Sequence, residues 1–345
     1  MGSMHPAARA EDAFNSVLGR LLSRRGFVTR VLAYSGYASS TQARVMGRIV
    51  LSRVDAADQP IDPMYASVRR GIRVFMAAPQ SRQPVQVRLG DAVVDTHSDR
   101  GGYFDITLQG HGLEPGWHHA RVRCGTVEST APVQVIGDDI RFGIISDIDD
   151  TCVVTSLPRP MLAAYNTFVL PETARRVVPG MSALYRSLLA HNPGSPMLYL
   201  STGAWNTQPI INRFLQRHGF PPGAVLMTDW GATETAVFRS GREHTRSQLR
   251  RLAVEFPNIQ WLLVGDDGQH DPEIYDEFAA EMPDNVRAIA IRQLTVTQQM
   301  LSHGHPLSRD DGRASPTFKV EGGDGYALFQ ELSCLRTLDT GVSHA

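Results

Sequence analysis

The chain has 345 residues, 42% hydrophobic and 20% charged, with a formal net charge of -1 at pH 7. That length suggests two domains, and the balance is that of a globular protein rather than a disordered or fibrous one. A near-neutral charge gives no electrostatic case for a nucleic-acid partner, and no apolar run approaches the roughly 20 residues of a membrane-spanning helix.

Residues 1–12 lack the apolar core of a secretory signal. Cys124, Cys152 and Cys334 are odd in number and far apart, which argues against a disulfide framework and fits a reducing cytosol. The expected location is cytoplasmic, with peripheral contact at a membrane. Residues 14–33 space Phe14, Val17, Leu18, Leu21, Leu22, Val28, Val31 and Leu32 as a helix would, and Arg20, Arg24, Arg25 and Arg30 add basic charge. Residues 1–33 are therefore expected as a helical segment, more a docking helix with a solvated basic face than one resting on anionic lipid, because the apolar stripe is short.

From 34 to 137 the pattern changes. Stretches 45–51, 72–76, 85–89, 103–108 and 119–124 alternate apolar and polar residues, with Gly, Pro, Asp and Ser clusters between them. Short alternating strands with such punctuation predict a small all-β sandwich. From 138 to 300, buried strands alternate with helices, which predicts an α/β doubly wound parallel sheet. Strands are expected at 140–145, 197–200, 225–227, 259–264 and 286–291, and helices at 181–189, 209–218, 247–256 and 272–281. Residues 301–345 have no sustained period and are expected to be a loosely ordered tail, although 326–329 could dock.

Three polar clusters follow three of these apolar strands. They are Asp147-Ile148-Asp149-Asp150-Thr151, Ser201-Thr202-Gly203, and Gly265-Asp266-Asp267-Gly268-Gln269-His270-Asp271. A parallel sheet presents all its strand ends along one edge, so the three can meet despite their separation in sequence. Crowded carboxylates repel and lose solvation, and a divalent cation would offset both costs.

The D-x-D-x-T pattern of Asp147, Asp149 and Thr151, with Ser201 and with Asp266 and Asp271, resembles the motifs of haloacid dehalogenase-like phosphatases. Residues 265–275, and Gly36-Tyr37 preceding Gly47-Arg48, make the sequence similar to the actin-patch-type phosphatidate phosphatase family, relatives of the lipin phosphatases. The resemblance spans roughly residues 34–295. It implies a haloacid dehalogenase-like catalytic domain over 138–300 and hydrolysis of a phosphomonoester, with phosphatidate as the substrate and a phospholipid as the partner. It implies Asp147 as nucleophile through an aspartyl-phosphate, and Asp149 as acid and then base. Ser201, with Thr202 and Gly203, would contact the phosphoryl group. Mg²⁺ would be bound by Asp147, the Asp149 carbonyl and Asp266, supported by Asp267 or Asp271.

The family places a lysine where Thr245 stands here, in Glu243-His244-Thr245-Arg246. Arg246 is the candidate substitute, with Arg239 and Arg242 close by. The alternative function is a catalytically impaired lipid- or protein-binding module. Residues 165–171 are a candidate short lid.

Overall fold

A computed structural model describes residues 26–53, 78–154, 176–228, 241–268, 270–295, 298 and 318–334. The chain divides into two compact units. Among the described residues, one holds those up to Gly137 together with Ala204–Pro209, and the other holds the remainder.

The first unit contains β1 (Phe27–Ala38), β2 (Gln42–Arg53), β3 (Ala78–Pro79), β4 (Pro84–Leu89), β5 (Ala92–His97), β6 (Tyr103–Gln109), β7 (Gly116–Cys124) and β8 (Val127–Val135). They form a single sheet in the order β3-β2-β1-β8-β7-β4-β5, with β6 added beside β2. The sheet is mixed because β1 meets β8 in parallel at Gly36–Ala38, while β1 and β2 pair antiparallel. A register shift between Tyr34 and Tyr37 lets β1 serve both partners. Alternate residues such as Val85, Val87 and Leu89, or Ala131, Val133 and Val135, point into one apolar core. Each fully buried Val or Leu there contributes about 1.5–3 kcal/mol. Within the same unit, Trp205 stacks on Tyr34 with ring centroids 5.5 Å apart.

The second unit contains β9 (Phe142–Asp147), β10 (Val153–Val154), β11 (Arg176–Val177), α1 (Met181–His191), β12 (Met197–Ala204), α2 (Gln208–Arg217), β13 (Ala224–Thr228), α3 (Gly241–Glu255), β14 (Gln260–Asp266), α4 (Asp271–Glu281), β15 (Val286–Arg292), β16 (Lys319–Gly322) and α5 (Gly325–Cys334). Its main sheet runs β13-β12-β9-β14-β15-β16. Strand β9 pairs in parallel with β12 and β14, and β15 pairs in parallel with β14 and β16. Its strands carry continuous apolar runs such as Trp261–Val264, as expected where both faces are covered.

The expected fold class is corrected. The described residues hold sixteen strands and five α-helices. They make a curled mixed sheet and a separate parallel sheet, not a helix-rich doubly wound haloacid dehalogenase-like domain behind a two-layer sandwich. Alternation reports which residues of a strand are buried but carries no information on which edges pair, so it cannot distinguish one curled sheet from two stacked ones. Residues 27–33, expected as the end of a helix, are strand: Phe27–Tyr34 pairs along β2, and that long-range pairing overrides a helix-like apolar spacing. The tail is partly ordered, since β16 extends the parallel sheet and Leu328 and Leu332 of α5 are fully buried. The expected helix before residue 26, the strand at 72–76, the lid at 165–171 and Arg239 lie outside the described residues.

Helix α5 docks through a close backbone approach. The Gly325 amide donates to the Pro179 carbonyl, and a Cβ at Gly325 would sit 2.3 Å from backbone atoms of Gly180 and Met181. Gly325→Ala is expected to cost about 1–3 kcal/mol by overpacking, read as a lower urea midpoint at unchanged slope. A parent-like midpoint would show that α5 is not held against Gly180.

Candidate active site

Parallel register brings the three clusters level. Asp147, the last residue of β9, lies opposite Leu200 of β12, and Ser146 lies opposite Val264 of β14. The next residues of those neighbours are Ser201 on one side and Gly265-Asp266 on the other, so strand pairing alone assembles the site.

Beyond Asp147 the chain turns tightly. The amides of Cys152 and Val153 both donate to the Ile148 carbonyl, at 2.9 and 3.1 Å, and the Asp150 amide donates to Val153 at 2.7 Å. Asp150 adopts a left-handed conformation with φ 58°, which an aspartate tolerates better than most side chains. Behind the turn, the Ser146 hydroxyl donates to the Asp147 carbonyl at 2.6 Å and shares a 2.7 Å hydrogen bond with the Tyr185 hydroxyl. The Cys152 thiol donates to the same carbonyl at 3.5 Å. Cys152 is fully buried, and burial pushes its pKa up to about 12, so it packs as a neutral thiol.

Asp147, Asp266 and Asp271 each place one carboxylate oxygen so that all three lie within 4.8 Å of one another. Two glycines make room. A Cβ at Gly265 would lie 2.5 Å from Asp271 Oδ2, and one at Gly268 would lie 2.7 Å from Asp266 Oδ1, which instead accepts from the Gly268 amide at 2.6 Å. Asp271 opens α4, where an acid is favoured by the helix dipole.

The second oxygens of Asp147 and Asp266 are buried with no hydrogen-bond partner in the structure. Burial, then Asp271, Asp266 and Asp149, push the Asp147 carboxyl well above the usual range. Burial, then Asp271 and Asp150, do the same to Asp266, and burial raises Asp271 to about 7. Three gathered carboxylates, two of them with a buried oxygen lacking a hydrogen-bond partner, are the hard-oxygen donor set that a divalent cation such as Mg²⁺ takes.

Asp149 meets Ser201, whose hydroxyl donates to Asp149 Oδ2 at 3.3 Å while accepting from the Gly203 amide at 3.0 Å. The carbonyls of Thr202 and Gly203 both accept from the Thr228 hydroxyl. Thr151 is fully buried, and its hydroxyl has no hydrogen-bond partner in the structure. Asp267 Oδ1 accepts from the Leu294 amide at 2.7 Å, and its charge adds to the upward push on Asp266. Thr245 is buried and its hydroxyl donates to the Gly241 carbonyl. Arg246 turns to α4, where its guanidinium holds Glu277 at 2.6 Å, and Arg242 meets the His270 ring.

Sequence reasoning missed Ser146, whose hydroxyl bonds the Asp147 carbonyl, Tyr185, which bonds that hydroxyl, and Arg292, buried at the end of β15. The available signal for Arg292 was its place: an arginine closing an apolar strand on the sheet edge that carries the acidic clusters. A pocket of about 280 Å³ in the first unit, lined by Tyr34, Met46, Tyr103, Phe104 and Trp205 among others, contains none of the expected site residues.

Carboxylates gathered past adjacent ends of a parallel sheet define an acidic centre. Residues 142–293, which contain all of it, match the family described as phosphatidate phosphatase APP1, catalytic domain. That match and these motifs support an APP1-type reading of the segment. It is 26% identical over 153 residues to phosphatidate phosphatase APP1 of Saccharomyces cerevisiae, covering 44% of this chain and 26% of the yeast protein. It is 24% identical over 154 residues to an uncharacterized protein of Schizosaccharomyces pombe, covering 44% of this chain and 25% of that one. The matched segment thus spans about a quarter of the length of these relatives. Among solved structures, a carbohydrate acetylesterase from Xanthomonas citri aligns over 80% of this chain and 73% of its own, at 11% identity and a TM-score of 0.30, which carries no argument.

The carboxylate crowding has a pH signature. A folded-state pKa raised above the unfolded value means that the native chain holds a proton the unfolded chain has released. The associated stability is present below the ordinary carboxylate range and is lost as pH rises through about 7 for Asp271. With chelator present, the parent melting temperature is expected to fall between pH 5 and pH 8, while Asp271→Asn falls less and exceeds the parent at pH 8. Parallel melting curves for the two proteins across that range would remove Asp271 from the cluster.

Proposed function

We propose that this chain is a Mg²⁺-dependent phosphoric monoester hydrolase whose substrate is phosphatidate, giving diacylglycerol. The observation that carries the reading is the convergence of Asp147, Asp266 and Asp271, with two orphaned buried oxygens, beside an Asp149–Ser201 pair. The metal would be held by Asp147, Asp266 and Asp271, with the Asp149 carbonyl, and would offset the charge between phosphate and carboxylates. Within this reading, residues 138–300 are the catalytic domain and residues 34–137 an accessory domain.

An Asp147 oxygen attacks phosphorus while the ester oxygen departs, taking its proton from Asp149. Water then attacks the aspartyl-phosphate, losing its proton to Asp149 and restoring both carboxyl groups. The single Ser201 hydroxyl proton goes to Asp149 in this structure and would turn to a phosphoryl oxygen when substrate binds. The tight turn at Ile148–Val153 and the Ser146 bond hold the Asp147 backbone so that nucleophile and acid keep a fixed spacing. Among the described residues no helix is long and apolar enough to cross a membrane.

The test compares the parent with Asp147→Asn on phosphatidate vesicles and on a soluble phosphomonoester, with Mg²⁺ and with chelator. Turnover should require the metal and should drop by about 1000-fold or more in Asp147→Asn. Equal turnover by both proteins would eliminate Asp147 as nucleophile, and activity on the soluble ester alone would eliminate phosphatidate.

One observation favours the second reading, a catalytically impaired lipid- or protein-binding module. Thr245 stands where the family carries lysine, and Arg246 is committed to Glu277. Losing one preorganised electrostatic contact costs about 100- to 1000-fold in rate. On the hydrolase reading, Arg246→Ala should leave turnover unchanged and Thr245→Lys should raise it. A large loss in Arg246→Ala would mean that its side chain leaves Glu277 to meet the phosphate.

A further inference from the structure

We propose that Arg292 is a positioning residue that locks the Asp147–Thr151 turn by tying Asp150 to the C-terminal β16–α5 element. The proposal rests on the hydrolase reading for its effect on turnover, but its structural half stands without it.

Arg292 closes β15 in register with Asp266 on β14 and with Gly322 on β16, at the level of the acidic cluster. Its side chain is only 4% exposed. A guanidinium carries five donors and no acceptor, so burying it is costly unless acceptors surround it. Three separate segments supply them. Nη1 donates to the Asp150 carbonyl, Nη2 to Gln298 Oε1 at 3.2 Å, and Nε to the Gly323 carbonyl at 3.3 Å. The Arg292 carbonyl in turn accepts from the Asp267 amide at 3.0 Å, which fixes the strand end itself.

The contact to Asp150 falls at the most demanding point of the turn. Asp150 and Arg82 are the non-glycine residues with positive φ among those described, and Asp150 lies between Asp149 and Thr151. Its amide is fixed by Val153 and its carbonyl by Arg292, so the peptide groups on both sides of this left-handed residue are held. Rotation there would swing Asp149 away from Ser201. Burial lowers the Arg292 pKa, while the charges of Asp150 and Asp266 oppose that shift. The planar fork reaches several carbonyls at once, which a lysine ammonium on a flexible stem does not.

The consequence concerns the chain beyond the family match. That match ends at residue 293, yet the Gly323 carbonyl is one of the three anchors of Arg292. Strand β16 and helix α5 therefore form part of the support of the catalytic turn. Their docking at Pro179–Gly180 gives that support a second footing.

The experiment uses the full chain with Arg292→Gln and Arg292→Lys. Steady-state kinetics on p-nitrophenyl phosphate with saturating Mg²⁺ are paired with hydrogen exchange over the peptide 147–154. Displacing reacting groups by about 1 Å costs about 100-fold in rate, so Arg292→Gln should lower kcat by about that factor with KM within about threefold. Exchange at 148–153 should rise while β14 stays protected. Arg292→Lys should show the same pattern more weakly, and it serves alone if the glutamine variant fails to fold. Parent-like kcat with parent-like exchange overturns the proposal, and so does faster exchange spread evenly over β9, β14 and β15, the mark of a general stability residue. If the parent hydrolyses no phosphomonoester, the hydrolase reading falls, and the exchange result alone keeps or overturns the Arg292 tie.

Discussion

Buried carboxylates repel across a few ångströms, and the second unit is organised around tolerating that repulsion at one place. Parallel pairing of β9 with β12 and β14 brings Asp147, Ser201 and Asp266 to the same sheet edge, and α4 adds Asp271 from its first turn. No local preference would collect these groups, since each carboxylate forgoes hydration and raises the pKa of its neighbours. The surrounding residues make the collection geometrically possible. Gly265 and Gly268 remove side chains that would collide with Asp271 and Asp266, and Ser146, itself bonded by Tyr185, and Cys152 hold the Asp147 carbonyl from behind. Structures keep such arrangements where a ligand or reaction repays the cost.

The strand ends were legible in the sequence because two independent signals coincide at each. Phe142–Ile145 and Trp261–Val264 are apolar runs long enough to be buried strands, and polar clusters follow them directly. The Asp147, Asp149, Ser201, Asp266 and Asp271 neighbourhood followed once the sheet was taken to be parallel. What was not legible depended on long-range pairing. Residues 27–33 carry helix-like apolar spacing, yet the β2 partner makes them a strand. The alternation in β4, β7 and β8 is that of a half-buried sheet, but only the pairing pattern shows that these strands join one curled sheet. Residues 318–334 look unstructured by composition, but Leu328, Leu332 and the glycine contact at Gly180 find partners far away in sequence.

Arg246 shows a finer limit. Its adjacency to Thr245 makes it an apparent substitute for the missing lysine, but adjacent helical residues point about 100° apart. Arg246 and Arg250 lie four apart on one face of α3 and meet Glu277 and Glu281, four apart on α4, at 2.6 and 2.7 Å. This ladder belongs to the contact between two helices, and it directs the cations of that face to glutamates rather than to the acidic cluster. Sequence distance identified a charge of the right sign, whereas helix geometry decides where the charge is used.

Arg292 is the complementary case. It lies among Asp150, Asp266 and Asp267, and their charges act on it, but its hydrogen bonds go to the Asp150 and Gly323 carbonyls and to a glutamine. Its charge therefore reaches the cluster only through the field, while its donors are spent on backbone geometry. Compensation through space leaves lone pairs unmatched, and the second oxygens of Asp147 and Asp266 have no hydrogen-bond partner in the structure. A monovalent cation at a distance can reduce the repulsion among these groups without satisfying those oxygens. A small divalent cation in direct contact does both, because its charge and its open coordination positions act at the same atoms. In this site, then, an arginine keeps the turn in shape, and the carboxylates remain open to an ion.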